Sequence, residues 1–270
     1  MPRKKHAENK AAAARILRLK AGHEYPKLEA VKISIVVPAF NEERLLSQSL
    51  AQMKSATDVF IRQGWETELI VCDNNSTDRT ADIAREAGAR VVFEPVNQIA
   101  RARNRGATAA SGDWLIFVDA DSYPSAGLFE EVAEQIQSGR CLAGGTTVRM
   151  DEKHWVAEFF TWLWNSSSRM GHWLAGSFIF IEAAAFRSVG GFSNELFAAE
   201  ELDLSKRLKR LSRETARRIV ILHRHPLVTS ARKMRLYTLW DHLKLLAHVF
   251  FNRRALTRRE ACKLWYDGRR

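Results

Sequence analysis

The stretch Asp113-Trp-Leu-Ile-Phe-Val-Asp-Ala-Asp121 limits what this chain can fold into more than any other. Leu115 to Val118 is an unbroken apolar run, the mark of a strand buried on both faces. Such strands belong to sheets covered by helices on both sides. The run stops at two carboxylates, Asp119 and Asp121, with one residue between them. In an open α/β sheet, ligands sit beyond the carboxyl ends of the strands. Two hard oxygen ligands at that place suit a divalent cation that also holds phosphate oxygens. A lone D-x-D also arises wherever a strand runs into an acidic turn, so its neighbours decide its meaning.

Upstream, Ile33-Ser-Ile-Val-Val37 reads as a strand closed by Pro38, and Asn41-Glu-Glu-Arg-Leu-Leu starts a helix with Asn41 as its N-cap. Thr67 to Cys72 is a second strand, ending in the polar turn Asp73-Asn-Asn-Ser-Thr-Asp78. Thr80 to Ala87 is helical, and Gly88 stops it. Arg90 to Phe93 is a third strand, and Ile99 to Ala110 is a helix leading into the strand of the two aspartates. Strands alternating with helices predict βαβ units and a mostly parallel central sheet flanked by helices. Downstream the pattern is less regular. Leu128 to Gln137 reads as a helix, Cys141 to Met150 as a strand, and Trp155 to Trp164 as an aromatic-rich stretch. Ser177 to Ile181 is a strand, Ala199 to Leu211 a charged helix, and Ile219 to Leu222 a last strand followed by His223 and His225.

The net charge of +11 is unevenly spread. Residues 1–30 carry +5 and residues 231–270 carry +8, whereas residues 31–230 carry −2. A nucleic-acid binder carries its positive charge on the folded reading surface. Basic flanks on a near-neutral body suit an anionic membrane surface instead. Three domains are expected: a basic extension (1–30), an α/β domain (31–230) and a basic amphipathic helical segment (231–270). In the last, apolar Leu236, Leu239, Trp240, Leu243, Leu246, Ala247 and Phe250 recur at helical spacing. A helix packing back on the domain would have the same pattern. Cys72, Cys141 and Cys262 are too widely spaced for a zinc or disulfide framework. No apolar run approaches the roughly 20 residues of a membrane span. The expectation is a cytoplasmic chain suited to peripheral attachment at the cytoplasmic face of a membrane.

No G-x-G-x-x-G follows the first strand and no P-loop occurs, so a phosphate-bearing ligand would need a metal, anchored by Asp119 and Asp121. Four successive segments complete the pattern: Val36-Val-Pro-Ala-Phe-Asn-Glu-Glu43, Val71-Cys-Asp-Asn-Asn-Ser-Thr-Asp78, Ala102-Arg-Asn-Arg-Gly106 and Phe117-Val-Asp-Ala-Asp121. In order and spacing they resemble the signatures of family 2 glycosyltransferases of the GT-A fold, over roughly Val31 to Leu211. The resemblance implies a nucleotide-diphosphate sugar donor, transfer with inversion to an acceptor hydroxyl, and a divalent metal, Mn²⁺ or Mg²⁺. It places Pro38, Ala39 and Glu42 at the nucleoside, Asp73 at the base and Arg103 by the nucleotide. Asp121, with Asp119 beside it, would hold the metal and the ribose or diphosphate. It also implies an acidic pair on a later helix that supplies the general base. Here Glu200-Glu201 stands where Glu-Asp is usual, followed by Asp203, so Glu201 is the candidate base with Glu200 or Asp203 as alternatives. His225 is a candidate further metal ligand, and Ser230 to Lys233 a basic loop near the diphosphate.

The acids have a plainer reading, a solvated helix start favoured by the helix dipole. Trp155, Trp162, Trp164 and Trp173 fall where the acceptor is expected, and core packing explains at least half of them as well. Two other functions compete. A sugar-1-phosphate nucleotidyltransferase would need a Gly-rich phosphate loop after the first strand, which Pro38-Ala-Phe-Asn41 is not. A non-catalytic membrane-surface protein leaves the four acidic strand ends unexplained.

Overall fold

The computed structural model describes residues 31–152, 155–232, 256–262 and 266. The described elements follow in order: β1 (Lys32–Ala39), α1 (Leu46–Arg62), β2 (Glu66–Asp73), α2 (Thr80–Glu86), β3 (Arg90–Phe93), α3 (Ile99–Ala109), β4 (Trp114–Val118), β5 (Ser122–Tyr123) and α4 (Ala126–Gln137). Then come β6 (Cys141–Met150), α5 (Trp155–Gly171), β7 (Phe178–Glu182), α6 (Ala183–Ser188), α7 (Glu200–Thr215), β8 (Arg218–Thr229) and a 3₁₀ turn at Arg259–Cys262.

All eight strands join one sheet in the order β3-β2-β1-β4-β7-β6-β8-β5. β2 and β4 both pair with β1 in parallel, so the strands ending in Ala39, Asp73 and Val118 deliver their polar ends to one edge. Among the described strands the sheet is mostly parallel, as expected, with β6 and β8 also paired in parallel and only β7 and the short β5 running against the rest. β7 runs antiparallel to β4 and β6, and β5 runs antiparallel to β8. The alternating βα pattern ends at β4, and beyond it the chain reverses direction through the sheet's middle.

β4 is buried at every residue, as an apolar run between two helical layers requires. One layer packs Leu46, Leu50, Met53 and Phe60 of α1 with Leu128, Phe129 and Val132 of α4. On the other face, Ala100 of α3, Phe186 and Leu204 pack on Leu115 and Phe117. Two local expectations need correction. Asn41 is not a helix N-cap: its φ is +52°, and its Oδ1 accepts from Thr77 N at 2.9 Å. It ties the loop after β1 to the loop after β2, and α1 begins only at Leu46. The last strand also does not stop at Leu222. β8 runs on to Thr229, with a shifted register between Thr146 and Val148 opposite Leu222 and Leu227. Pro226, which has no N–H to donate, lies in that irregular stretch. His223 and His225 are therefore within the strand.

The basic extension 1–30 and the amphipathic stretch 236–250 lie outside the described residues. Leu256, Cys262 and Tyr266, from the segment 231–270, pack on Ala198 of the domain. The three cysteines are unpaired and buried. Among the described residues no helix is long and apolar enough to cross a membrane.

Candidate active site

A cavity opens at the shared edge of β1 and β4, lined by Pro38, Ala39, Glu42, Asn74, Asp119 and Asp121, with Phe40, Asn97, Ile99 and Ala120. The loops that form it hold one another. Asn74 N donates to Ala39 O at 2.8 Å, and Glu42 N donates to Thr80 Oγ1 at 2.7 Å. Asp73 Oδ1 accepts from Ser76 N at 3.0 Å, so this carboxylate braces the turn while Asn74 stands in the cavity wall. The Asn74 amide is itself fixed, donating to Val96 O at 2.6 Å.

Arg103 is the link between the cavity and the acidic helix. It sits on α3, and its guanidinium is 3% exposed. Nη2 donates to Asp119 Oδ1 at 3.0 Å and to Gly176 O at 2.8 Å, and Nη1 donates to Glu200 Oε1 at 2.6 Å. Phe192 lies under the guanidinium, 5.2 Å from its centre. Arg103 is thus a buried brace behind Asp119, not a cavity-lining residue. A charge buried this deeply must be paired, and its carboxylate partners hold its proton more firmly despite the burial.

α7 begins after Ala199, whose φ of +60° turns the chain sharply into the helix. This left-handed geometry strains a residue with a Cβ and sets the direction in which Glu200 and Glu201 leave the turn. Glu200 is buried on Arg103. Glu201 is only partly buried by its surroundings, yet burial and then the neighbouring Glu200 charge push its carboxyl up to about 8, with Arg103 opposing. Asp203 faces away, in an i,i+4 pair with Arg207 at 2.7 Å. The Oγ of Ser205 donates to Glu201 O at 2.7 Å and accepts from Leu174 N at 3.1 Å, fixing the first turn of α7 to the segment before β7.

Asp121 is buried beside the loop that follows β8. Ser230 N donates to Asp121 O at 3.1 Å, and Arg232 Nη2 lies 3.5 Å from Asp121 Oδ2. The same nitrogen donates to both oxygens of Glu42, at 3.0 and 2.8 Å. Asp119 and Asp121 offer hard carboxylate oxygens at the cavity, each already facing a guanidinium, and are the residues that would hold a divalent ion. His225 is not brought to them. Its imidazole lies over Gly127, and its Nδ1 is 2.9 Å from Glu131 Oε1 on α4. Among the described residues no group of three or more His, Cys, Asp or Glu stands close enough to hold a metal. Two aspartates alone would therefore leave coordination to be completed by ligand oxygens.

The sequence motifs located Pro38, Ala39, Glu42, Asp119 and Asp121 in one cavity. They missed Asn97, in the loop after β3, and Ile99, which opens α3, neither in a recognisable motif. Of the tryptophans, Trp162 is exposed, Trp164 packs on the core, and Trp173 lies under the Lys209 ammonium.

Solved structures with the same architecture include glucosyl-3-phosphoglycerate synthase from Mycobacterium tuberculosis in complex with Mn²⁺ and UDP-Glc. It is 20% identical, with a TM-score of 0.59 over 88% of this chain and 80% of that one. Staphylococcus aureus TarS 1-349 in complex with UDP-GlcNAc is 19% identical, with a TM-score of 0.58 over 87% of this chain and 73% of that one. At such identities the likeness establishes the fold, which is GT-A. Sequence relatives include the uncharacterized glycosyltransferase EpsJ of Bacillus subtilis (strain 168), 30% identical over 40% of this chain and 31% of that protein. Another is the dolichol-phosphate mannosyltransferase of Pyrococcus furiosus, 28% identical over 43% of this chain and 33% of that protein. The matches to these two relatives thus span about a third of their lengths. The model of the family described as Glycosyl transferase family 2 matches residues 34–188, from β1 through α6 and across every cavity-lining residue. With more than half the chain covered by that match, this protein belongs to glycosyl transferase family 2.

Proposed function

We propose that this chain transfers a sugar, with inversion, from a nucleotide-diphosphate donor to an acceptor hydroxyl, with Glu201 as the general base. The observation that carries the reading is a partly exposed carboxylate beside the buried Glu200, which Arg103 ties to Asp119 of the cavity, with the neighbouring charge helping to raise its proton affinity. A carboxylate tuned toward neutrality is suited to accept a hydroxyl proton during attack. Asp203 is engaged with Arg207 and Glu200 with Arg103, which favours Glu201 over both.

In this mechanism Pro38, Ala39 and Glu42 bound the nucleoside, Asp73 shapes the turn beside it, and the diphosphate lies by Asp119 and Asp121. A divalent ion held by those aspartates supplies positive charge that offsets the departing nucleoside diphosphate. Glu201 takes the acceptor's proton as its oxygen attacks the anomeric carbon. The carbon–oxygen bond to the phosphate breaks on the opposite face, and its electron pair leaves with the diphosphate. One displacement inverts the centre. Arg103 keeps Asp119 and the base helix in fixed relation throughout, as positioning demands.

The test is a thermal-shift screen against UDP-, GDP-, dTDP- and CDP-sugars, each with and without Mn²⁺ or Mg²⁺. A ligand that binds only the folded state raises stability by RT ln(1 + [L]/Kd), about 2.7 kcal/mol at a hundred times Kd. One nucleotide class should shift the melt in a metal-dependent way, and Asp121→Ala should remove that shift while keeping the fold. No shift with any class retires the reading.

We further place the acceptor at a membrane surface. The support is α5, which exposes Phe159, Trp162, Leu163 and Met170 together. Co-sedimentation with anionic vesicles checks this: Trp162→Ser with Phe159→Ser should release the protein, and unchanged sedimentation of the double variant rejects it.

A further inference from the structure

We propose that Arg232 is a built-in cation that guards the donor carboxylates against bare metal, and that it makes metal and diphosphate enter together. The inference rests on the donor-site reading above and assigns a role to a residue outside the family-matched segment.

The backbone places Arg232 with some rigidity. β5 and β8 pair Ser122 with Thr229 and Tyr123 with Val228, immediately after the two aspartates. Beyond them Ser230 N donates to Asp121 O, Ala231 N donates to Asp151 Oδ1 at 2.8 Å, and Arg232 N donates to Ser230 Oγ at 3.2 Å. A single nitrogen of the side chain, Nη2, then serves Glu42 and approaches Asp121. Both carboxylates are buried and both line the donor cavity.

Two features show that this arrangement is built for something besides the pair itself. A guanidinium normally grips a carboxylate with two nitrogens, its fork against the two oxygens. Here one nitrogen does all the pairing, while the buried Nε and Nη1 make no hydrogen bond among the described residues. Nε–H and Nη1–H are separate N–H donors with no partner among the described residues, the kind of donor that phosphate oxygens accept from. The second feature is charge. Glu42, Asp119 and Asp121 all line the cavity; Arg103 pairs with Asp119, and Arg232 lies against the other two.

A divalent ion arriving alone at Asp121 meets the Arg232 charge next to it and must displace that charge without offering it another partner. An ion arriving with a diphosphate brings both a cation for Asp121 and an anion for the guanidinium. Arg232 thereby opposes the first event and favours the second. By linkage, the diphosphate then raises metal affinity, and the metal raises diphosphate affinity by the same factor.

The experiment is Mn²⁺ alone, titrated into the native chain, Arg232→Gln and Arg232→Lys, with free ion read by electron paramagnetic resonance. Arg232→Gln should bind Mn²⁺ about tenfold tighter than native, and Arg232→Lys, which keeps the charge, should stay within about threefold. Repeating the titrations with UDP and with GDP measures the coupling, which should shrink in Arg232→Gln. A merely structural Arg232 would lower the melting temperature and leave bare Mn²⁺ affinity unmoved; that result overturns the proposal. Arg232→Met, which keeps the apolar stem, replaces Arg232→Gln if the latter does not fold. Native protein that takes up no Mn²⁺ with either nucleotide, nor shifts in the donor screen, fails both readings. Native protein that does, with bare-ion affinity unchanged in the variant, fails this one alone.

Discussion

Glu200 and Glu201 are neighbours in the chain and opposite in circumstance. The first is buried against a guanidinium, and the second is held beside that buried charge with its own proton retained to about 8. The consequence for stability has a definite sign. An unfolded Glu201 releases its proton near 4.5, whereas the folded one keeps it to about 8. Between those values the native state binds the extra proton, so its contribution is full below the lower value and is lost as pH rises through the upper one. Metal-free native protein should therefore lose melting temperature relative to Glu201→Gln across that window, which differential scanning against pH measures. The same variant should retain donor binding and lose transfer by about 10²–10⁴-fold, the usual worth of a general base. Normal transfer by Glu201→Gln would move the role to Glu200 or Asp203. At this scale the sequence spoke clearly about Asp119 and Asp121, because the buried apolar strand that ends in them stands in order behind three other motifs. It could not reveal that Arg103 turns its back to the cavity, since its partners Asp119, Gly176 and Glu200 come from three distant segments.

Among the elements, α3 shows how a motif glycine can matter through packing alone. A Cβ on Gly106 would stand 2.3 Å from Val36 Cγ1, so only glycine lets α3 lie this close on β1. That closeness brings Arg103, one turn earlier, behind Asp119. Gly106→Ala should cost about 1–3 kcal/mol by overpacking, read in a denaturant midpoint. It should also weaken donor binding by displacing the helix; unchanged stability would show that β1 yields. The βα half was legible because period and punctuation agree there: β3 matches its expected span, and α2 ends just before Gly88, with φ +75°. The later half was less so. β7 enters the sheet in reverse beside β4, and no local pattern distinguishes an antiparallel buried strand from a parallel one. β8 was read short because Pro226 and two histidines resemble a loop, whereas pairing with β6 resumes at Leu227.

For the molecule as a whole, the chain's last described residues belong to the body. Tyr266 Oη donates to Phe197 O at 2.9 Å and accepts from Ile99 N at 3.3 Å, and Phe197 N donates to Leu256 O at 2.8 Å. Ile99 lines the donor cavity and Ala199 opens the base helix, so this patch supports both. A chain ending at Arg232 should melt lower, by about 2–4 °C for each kcal/mol of contact removed. An unchanged melt would show that the patch adds nothing to the fold. These contacts carry a further consequence: a change that parts Tyr266 from Phe197 and Ile99 loosens the donor wall and the entry to the base helix together, so a patch that never enters the site still sets how well its two halves agree.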